Sequence, residues 1–276
     1  MTVDELADEA EDVLDTRVAF GTVSPYAVLL ESGDPARLPS IRDGRCGAQD
    51  EGSQLAALIA ASAPLDGGRD ERWLDLCAGP GGKAAMLAGL AAKVGARVTA
   101  NEVHPHRARL VERTTRLLDS IEVVSGDGRS FGGGQSAWPL ASFDRVIVDA
   151  PCSGMGSMRR RPESRWNRTP ADVAELTQLQ HELTERAVAL TRPGGVLTYV
   201  TCSPHAAETR EQVERLTQRG EVELLDTVAL ANDCCPAPLD VPASAGVIAG
   251  SQGRTLQLWD HRFGTDLMFV ACMRKR

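Results

Sequence analysis

From Arg72 to the C-terminus, short β-rich runs alternate with stretches of helical period, and this alternation constrains the fold more than any other feature. RWLDLC, ARVTANE, IEVVSGD, DRVIVDAP and VLTYVTCS are brief, apolar and bounded by turn residues, as strands buried on both faces are. Between them, KAAMLAGLAAKVG, HRARLVERTTRLL and ADVAELTQLQHELTERAVAL place apolar residues at helical spacing, the last being stopped by Pro193-Gly194-Gly195. AAETREQVERLTQRG reads as a further helix and EVELLDT as a further strand. TLQLWDH and LMFVACMRK, separated by RFGTD, read as a closing antiparallel hairpin. The expectation is an α/β fold: an open, mostly parallel sheet of seven strands, covered by helices on both faces, with the antiparallel hairpin at its edge.

The first part of the chain differs. Residues 1–20 look helical and acidic, whereas residues 21–50 are rich in Gly, Pro, Ser and Arg without a clear period. GAQDEGSQLAALIAASAP reads as a helix leading into the first strand. The expected division is a short N-terminal extension over residues 1–45 and one large domain over residues 46–276. No apolar run is long enough to cross a bilayer, and the acidic start lacks the basic and apolar regions of a signal peptide, so a cytoplasmic protein is expected. The seven cysteines show no zinc-like spacing, and the adjacent Cys234 and Cys235 suit neither a repeated ligand pattern nor an ordinary disulfide. No metal site is expected. A net charge of −8 argues against a surface that coats nucleic acid generically, so any such partner needs a local basic patch.

The chemistry is written at the strand ends, which in an open α/β sheet face the ligand crevice. Cys77, Ala78, Gly79, Pro80, Gly81, Gly82 and Lys83 form a glycine-rich turn from strand to helix, where backbone and helix N-terminus can approach a ligand closely. Such a loop alone is weak, since any tight strand–helix turn uses glycine. Glu102 ends the next strand, where an acid can accept hydrogen bonds from ribose hydroxyls, and Asp127 ends the third, where it can receive an adenine amine. Three successive strand ends of this kind, without GxGxxG, favour S-adenosylmethionine over a dinucleotide. The next two ends carry Asp149 with Cys152, and Thr201 with Cys202. A single buried cysteine is most often packing, but two at strand ends beside a methyl donor suggest methylation of cytosine C5. That carbon becomes nucleophilic only when a thiolate adds to C6; Asp149 suits hydrogen bonding at N3, and a second thiol can assist release. Just beyond Cys152, five arginines fall within ten residues: Arg159, Arg160, Arg161, Arg165 and Arg168, with Trp166 among them. The arginines suit RNA phosphates; Trp166 either stacks on a base or anchors the loop to the core.

These stretches together resemble the Sun/Nop group of RNA (cytosine-5) methyltransferases, the bacterial ribosomal RNA members in particular. AQDEGSQLAA, LDLCAGPGGKA, ANEVHPHRARL, SGDG, DAPCSGMGSMRRRPE, PGGVLTYVTCSPHAAE and GTDLMFVACMRK run in the group's order over residues 46–276. The resemblance implies a Rossmann-like, class I S-adenosylmethionine-dependent fold, with Cys77 to Lys83, Glu102, Arg107, Asp127 and Asp149 at the cofactor site. It makes Cys202 the nucleophile and Cys152 the residue that helps release product; DNA cytosine-5 methyltransferases use the Pro-Cys thiol instead. Residues 1–45 then stand as a partial RNA-binding region. The implied partner is ribosomal RNA, or transfer RNA, bound by a monomer or presented within a ribonucleoprotein, with no membrane involved. Departures are Gly79 and Ala84, where the group more often has Ala and Thr or Ser, and Glu102 for the commoner Asp. Two other classes compete: a cofactor-binding assembly module without turnover, and a methyltransferase for DNA or protein.

Overall fold

The computed structural model of the chain describes residues 1–166 and 168–276, with the backbone alone at Ser164 and Arg165. The chain opens with α1 (Val3–Leu14), started by a capping box in which Thr2 Oγ accepts from the Glu5 amide at 3.1 Å and Glu5 answers the Thr2 amide. A small antiparallel hairpin, β1 (Val18–Phe20) and β2 (Val28–Leu30), packs on it, followed by α2 (Pro39–Asp43). Residues 15–20, expected in the first helix, thus end it and enter a strand, because Asp15 adopts a left-handed conformation at φ 49°. Residues 21–50 hold a strand and a helix of three and five residues, too short for a period to register.

The chain continues with α3 (Glu51–Ser62), capped by Asp50 and buried along most of its length. Then come β3 (Arg72–Asp75), α4 (Gly82–Val94), β4 (Arg97–Asn101), α5 (Pro105–Thr115), β5 (Ile121–Val124) and β6 (Phe143–Asp149). The chain continues through α6 (Pro170–Leu190), β7 (Thr191–Thr201), α7 (Arg210–Gln218), β8 (Val222–Leu224) and α8 (Thr227–Cys234). It closes with β9 (Leu256–Gln257), α9 (Asp260–Phe263) and β10 (Phe269–Lys275). The strands lie in the order β5-β4-β3-β6-β7-β10-β8, with β9 beside β10. The first five in that order are parallel and β10 runs antiparallel to β7, β8 and β9, as the alternation and the closing hairpin predict. The helix α8 was not evident from sequence; Asp226 caps it after β8, with its side chain accepting from Val228 and Ala229.

Alternation along the central strands divides the core into two layers. Trp73, Ile147, Val196 and Val200 point to the side of α3, α4 and α8, while Leu74, Val146, Val148, Leu197 and Tyr199 point to the side of α6 and α7. At the amino end of β6, Arg145 donates to the Ala60 and Ala63 carbonyls at the end of α3, at 3.0 and 2.7 Å, and pairs with Asp70 at 2.7 Å. It thereby satisfies helix-terminal acceptors that would otherwise be buried unpaired. Among the described residues no helix is long and apolar enough to cross a membrane.

Candidate active site

The carboxyl ends of β3, β4, β6 and β7 deliver the chemistry-bearing residues to one edge of the sheet. The turn after β3 is fixed by its neighbours: the Leu76 amide donates to Ile147 and that of Ala78 to Asn101, at 3.0 and 2.8 Å. Gly79 lies so close to Glu102 that an added Cβ would stand 2.1 Å from Oε2, and Gly81, which starts α4, has φ +117°. The positive φ requires glycine at Gly81, whereas a side chain at position 79 would fit only if the Glu102 carboxylate shifted. Glu102 is buried directly after β4; Oε2 accepts from the Gly79 amide at 3.1 Å and Oε1 from that of His104 at 3.0 Å. Arg107 donates to the Gly79 carbonyl at 2.6 Å and lies 3.5 Å from Glu102 Oε2. Cys77 is deeply placed, and burial pushes its thiol well above the ordinary range. Asp127 follows β5 and caps the turn at residues 128–130, holding the Arg129 guanidinium through both carboxylate oxygens. Hydrogen bonds from Arg129 hold its carboxyl below the usual range.

Two residues that lie within the quoted LDLCAGPGGKA and ANEVHPHRARL stretches, but received no role from sequence, also face this loop. Among the described residues, Asp75 Oδ2 and Asn101 Oδ1 are buried without a hydrogen-bond partner, while Asn101 Nδ2 donates to the carbonyls of Leu76 and Gly126. Burial, reinforced by the Asp149 charge, pushes Asp75 up to about 7. Unpartnered buried acceptors are costly unless a ligand supplies donors. The pair, with the glycine turn and Glu102, fits S-adenosylmethionine, whose ammonium, ribose and adenine bring donors of this kind.

Beside the loop lies the reactive cluster. Lys83, in the first turn of α4, donates to Asp149 Oδ2 at the end of β6 across 2.8 Å. Burial works against its charge, but the Asp149 carboxylate more than offsets this and keeps Lys83 above the ordinary lysine range. The Sγ atoms of Cys152 and Cys202 stand 3.3 Å apart. The hydrogen bond with Cys152 lowers the Cys202 pKa, helped by the Lys83 ammonium, against the opposing effects of burial and Asp149. The same hydrogen bond, with burial, holds Cys152 well up as a thiol. The two neighbouring thiols are thus shifted in opposite directions, Cys202 down and Cys152 up.

The arginine stretch is partly spoken for. Arg159 pairs with Asp50 at 3.2 Å and Asp260 at 3.7 Å, and Arg160 grips the buried Asp266 through two nitrogens. Gly156 in the same loop donates to the Cys202 carbonyl and accepts from the Leu267 amide, both at 2.9 Å. Arg168 Nε donates to the Ser153 carbonyl at 3.2 Å. Arg161 is exposed, and Trp166 is 77 % exposed, so the indole does not anchor the loop in the core. The Arg165 side chain lies outside the described residues.

The sheet order, the glycine turn between β3 and α4 and the strand-end acids define the class: a class I S-adenosylmethionine-dependent methyltransferase domain. Residues 63–274 match the family model described as 16S rRNA methyltransferase RsmB/F, and the chain belongs to that family. It is 52% identical over 94% of its length to the putative methyltransferase Rv1407 of Mycobacterium tuberculosis, covering 52% of that protein. It is 32% identical over 100% of its length to the probable ribosomal RNA small subunit methyltransferase B of Bacillus subtilis, covering 59%. The chain therefore spans between half and three-fifths of these relatives. A methyltransferase homolog protein from Pyrococcus horikoshii has the same fold, with TM-score 0.74 at 21% identity, covering 100% of this chain and 83% of that one.

Proposed function

We propose that the chain methylates C5 of a cytosine in RNA, ribosomal RNA ahead of transfer RNA, through a covalent bond between Cys202 and C6. The observation that carries this reading is the pair of sulfurs 3.3 Å apart, one with its pKa lowered, beside the Lys83–Asp149 pair and the glycine turn. Cys202 adds to C6 as the thiolate, N3 takes up a proton from solvent as electron density accumulates there, and the Asp149 carboxylate accepts a hydrogen bond from the resulting N3–H. Lys83 holds the Asp149 carboxylate in place and favours the Cys202 thiolate. S-Adenosylmethionine, when bound, supplies the electrophilic methyl group that the enamine-like C5 takes up. The C5 proton then passes to a base, its electron pair re-forms the C5–C6 double bond, Cys202 leaves as thiolate, and N3 returns its proton to solvent. Cys152, with its S–H toward Cys202, stabilises that leaving sulfur.

Membership of an rRNA methyltransferase family supports the RNA substrate. Arg161, Arg168 and Trp166 stand on the loop that follows Cys152 and are the groups for its phosphates and bases; Arg159 and Arg160 chiefly hold the loop. RNA carrying 5-fluorocytosine tests the reading, because fluorine at C5 cannot leave as a proton and the adduct persists. A cofactor-dependent protein–RNA band on a denaturing gel is expected, and it must vanish in Cys202→Ala. A band that survives that substitution overturns the assignment of the nucleophile.

A further inference from the structure

Glu208 lies in the turn before α7, six residues beyond Cys202, and its side chain is wholly buried. Among the described residues no lysine, arginine or histidine pairs with it; instead the carboxylate is met by four hydrogen bonds. Oε1 accepts from the Ser153 amide at 2.7 Å and from Gln180 Nε2 at 3.2 Å. Oε2 accepts from the hydroxyls of Ser153 and Ser203, both at 2.6 Å. Gln180 also donates to the Pro151 carbonyl at 2.8 Å, and the Tyr199 hydroxyl donates to the Glu208 carbonyl at 2.7 Å. Ser153 and Ser203 each directly follow one of the two cysteines. A single carboxylate therefore ties the residue after Cys152 to the residue after Cys202.

A buried carboxylate without a cation is costly, and packing alone offers no reason to keep one here. What the arrangement does provide is rigidity in a place where two loops from different strands must agree. The carboxyl ends of β6 and β7 are adjacent, but their loops diverge into unrelated segments, the arginine stretch and the turn before α7. The Gly156 amide already joins the first loop to the Cys202 carbonyl at 2.9 Å, and Glu208 adds a tie through the residues that directly follow the two cysteines.

We propose that Glu208 is a positioning residue that sets the spacing of the Cys152 and Cys202 sulfurs, and through it the release of the methylated base. The inference rests on the proposed covalent mechanism for its catalytic part, but the spacing itself can be read without catalysis. Glu208→Ala removes all four bonds. Glu208→Gln retains them: its carbonyl can face the fixed donors Ser153 N and Gln180 Nε2, and its amide can donate to the two hydroxyls, which rotate to accept. The structure therefore makes the pair Ala and Gln a test of geometry with charge removed in both.

Two readouts are needed. The first is capture of phenylarsine oxide, which bridges two neighbouring thiols with loss of water, counted as the binding that Cys152→Ala abolishes. Glu208→Ala should lose at least ten-fold in that affinity and Glu208→Gln should lose little. The second is turnover on RNA with adduct analysis. Glu208→Ala should lower kcat by about 10²-fold, the scale of a misplacement of about 1 Å, and leave protein–RNA adduct, with KM for S-adenosylmethionine unchanged. Glu208→Gln should restore most of kcat. Should Glu208→Ala fail to bind S-adenosylhomocysteine, the double substitution Ser153→Ala with Ser203→Ala takes its place, with the same expected losses. Normal arsenical capture in the folded Glu208→Ala protein, or in that double variant, overturns the proposal. Lost capture together with wild-type chemistry that involves no adduct upholds the positioning and overturns the covalent mechanism instead.

Discussion

Cys152 and Cys202 are fifty residues apart in the chain, yet their sulfurs approach to 3.3 Å because β6 and β7 are parallel neighbours that end at the same edge. The hydrogen bond between them acts in opposite senses on the two: it lowers the Cys202 pKa, with help from Lys83 against burial and Asp149, and together with burial raises that of Cys152. From that asymmetry the two thiols receive different work, and Cys152→Ala should separate it. The variant should still form the bond from Cys202 to RNA but release it slowly, giving an RNA-linked species on denaturing gels and a fall in turnover of at least ten-fold. Normal turnover without that species would remove Cys152 from the release step.

Lys83 supports the Cys202 thiolate as a positive charge and also restrains Asp149, whose own charge opposes it. Lys83→Met removes the favourable charge and leaves the unfavourable one. The Cys202 pKa should rise, so the acid limb of the kcat/KM profile should move to higher pH. Below that limb the rate falls about tenfold for each unit of movement. An unmoved limb in a variant that still binds S-adenosylhomocysteine would contradict the role given to Lys83.

Asp75 gives a pH dependence of stability with a definite sign. Its folded pKa is pushed up to about 7, above an unfolded value of about 3.9. The native state therefore holds the proton more tightly, and the stability this contributes is complete below about pH 4 and is lost as pH rises through about 7. Compared with Asp75→Asn at each pH, the cofactor-free wild type should lose Tm steadily between pH 4.5 and 8. A difference independent of pH over that interval would show that Asp75 does not titrate there.

Arg145 tests the frame behind the site. Arg145→Ala leaves two carbonyls at the end of α3 and the Asp70 carboxylate without their donor. Loss of a partner from a buried pair of this kind costs about 3–5 kcal/mol, and the partly exposed Asp70 places the expected value at the lower end. Urea unfolding should show this cost with an unchanged slope. A loss below about 1 kcal/mol would mean that the terminal carbonyls of α3 find other partners.

The parallel sheet was legible because β3, β4, β6 and β7 are largely buried on both faces and end in recognisable turn residues, and the glycine loop and both cysteines sit where motif and strand end coincide. Residues 15–50 were not legible: strands of three residues carry no period, and Asp15 terminates α1 through a left-handed conformation that its residue type does not announce. The arginine stretch looked like a free basic patch in sequence, since Asp50, Asp260 and Asp266, which hold Arg159 and Arg160, come from distant segments. Glu208 was hidden for a similar reason. It closes the PGGVLTYVTCSPHAAE stretch, but its role is not evident until the fold brings Ser153 and Ser203 to it.

The proposed role of Cys202 in methylating cytosine C5 in RNA is tested by transfer of tritiated methyl from S-adenosylmethionine to unmethylated ribosomal and transfer RNA, with the modified base identified by mass spectrometry. The wild-type protein should produce 5-methylcytosine in RNA and Cys202→Ala none, although that variant still binds S-adenosylhomocysteine. Methyl incorporated at another atom or only into DNA or protein, or 5-methylcytosine made equally well by Cys202→Ala, would contradict that role.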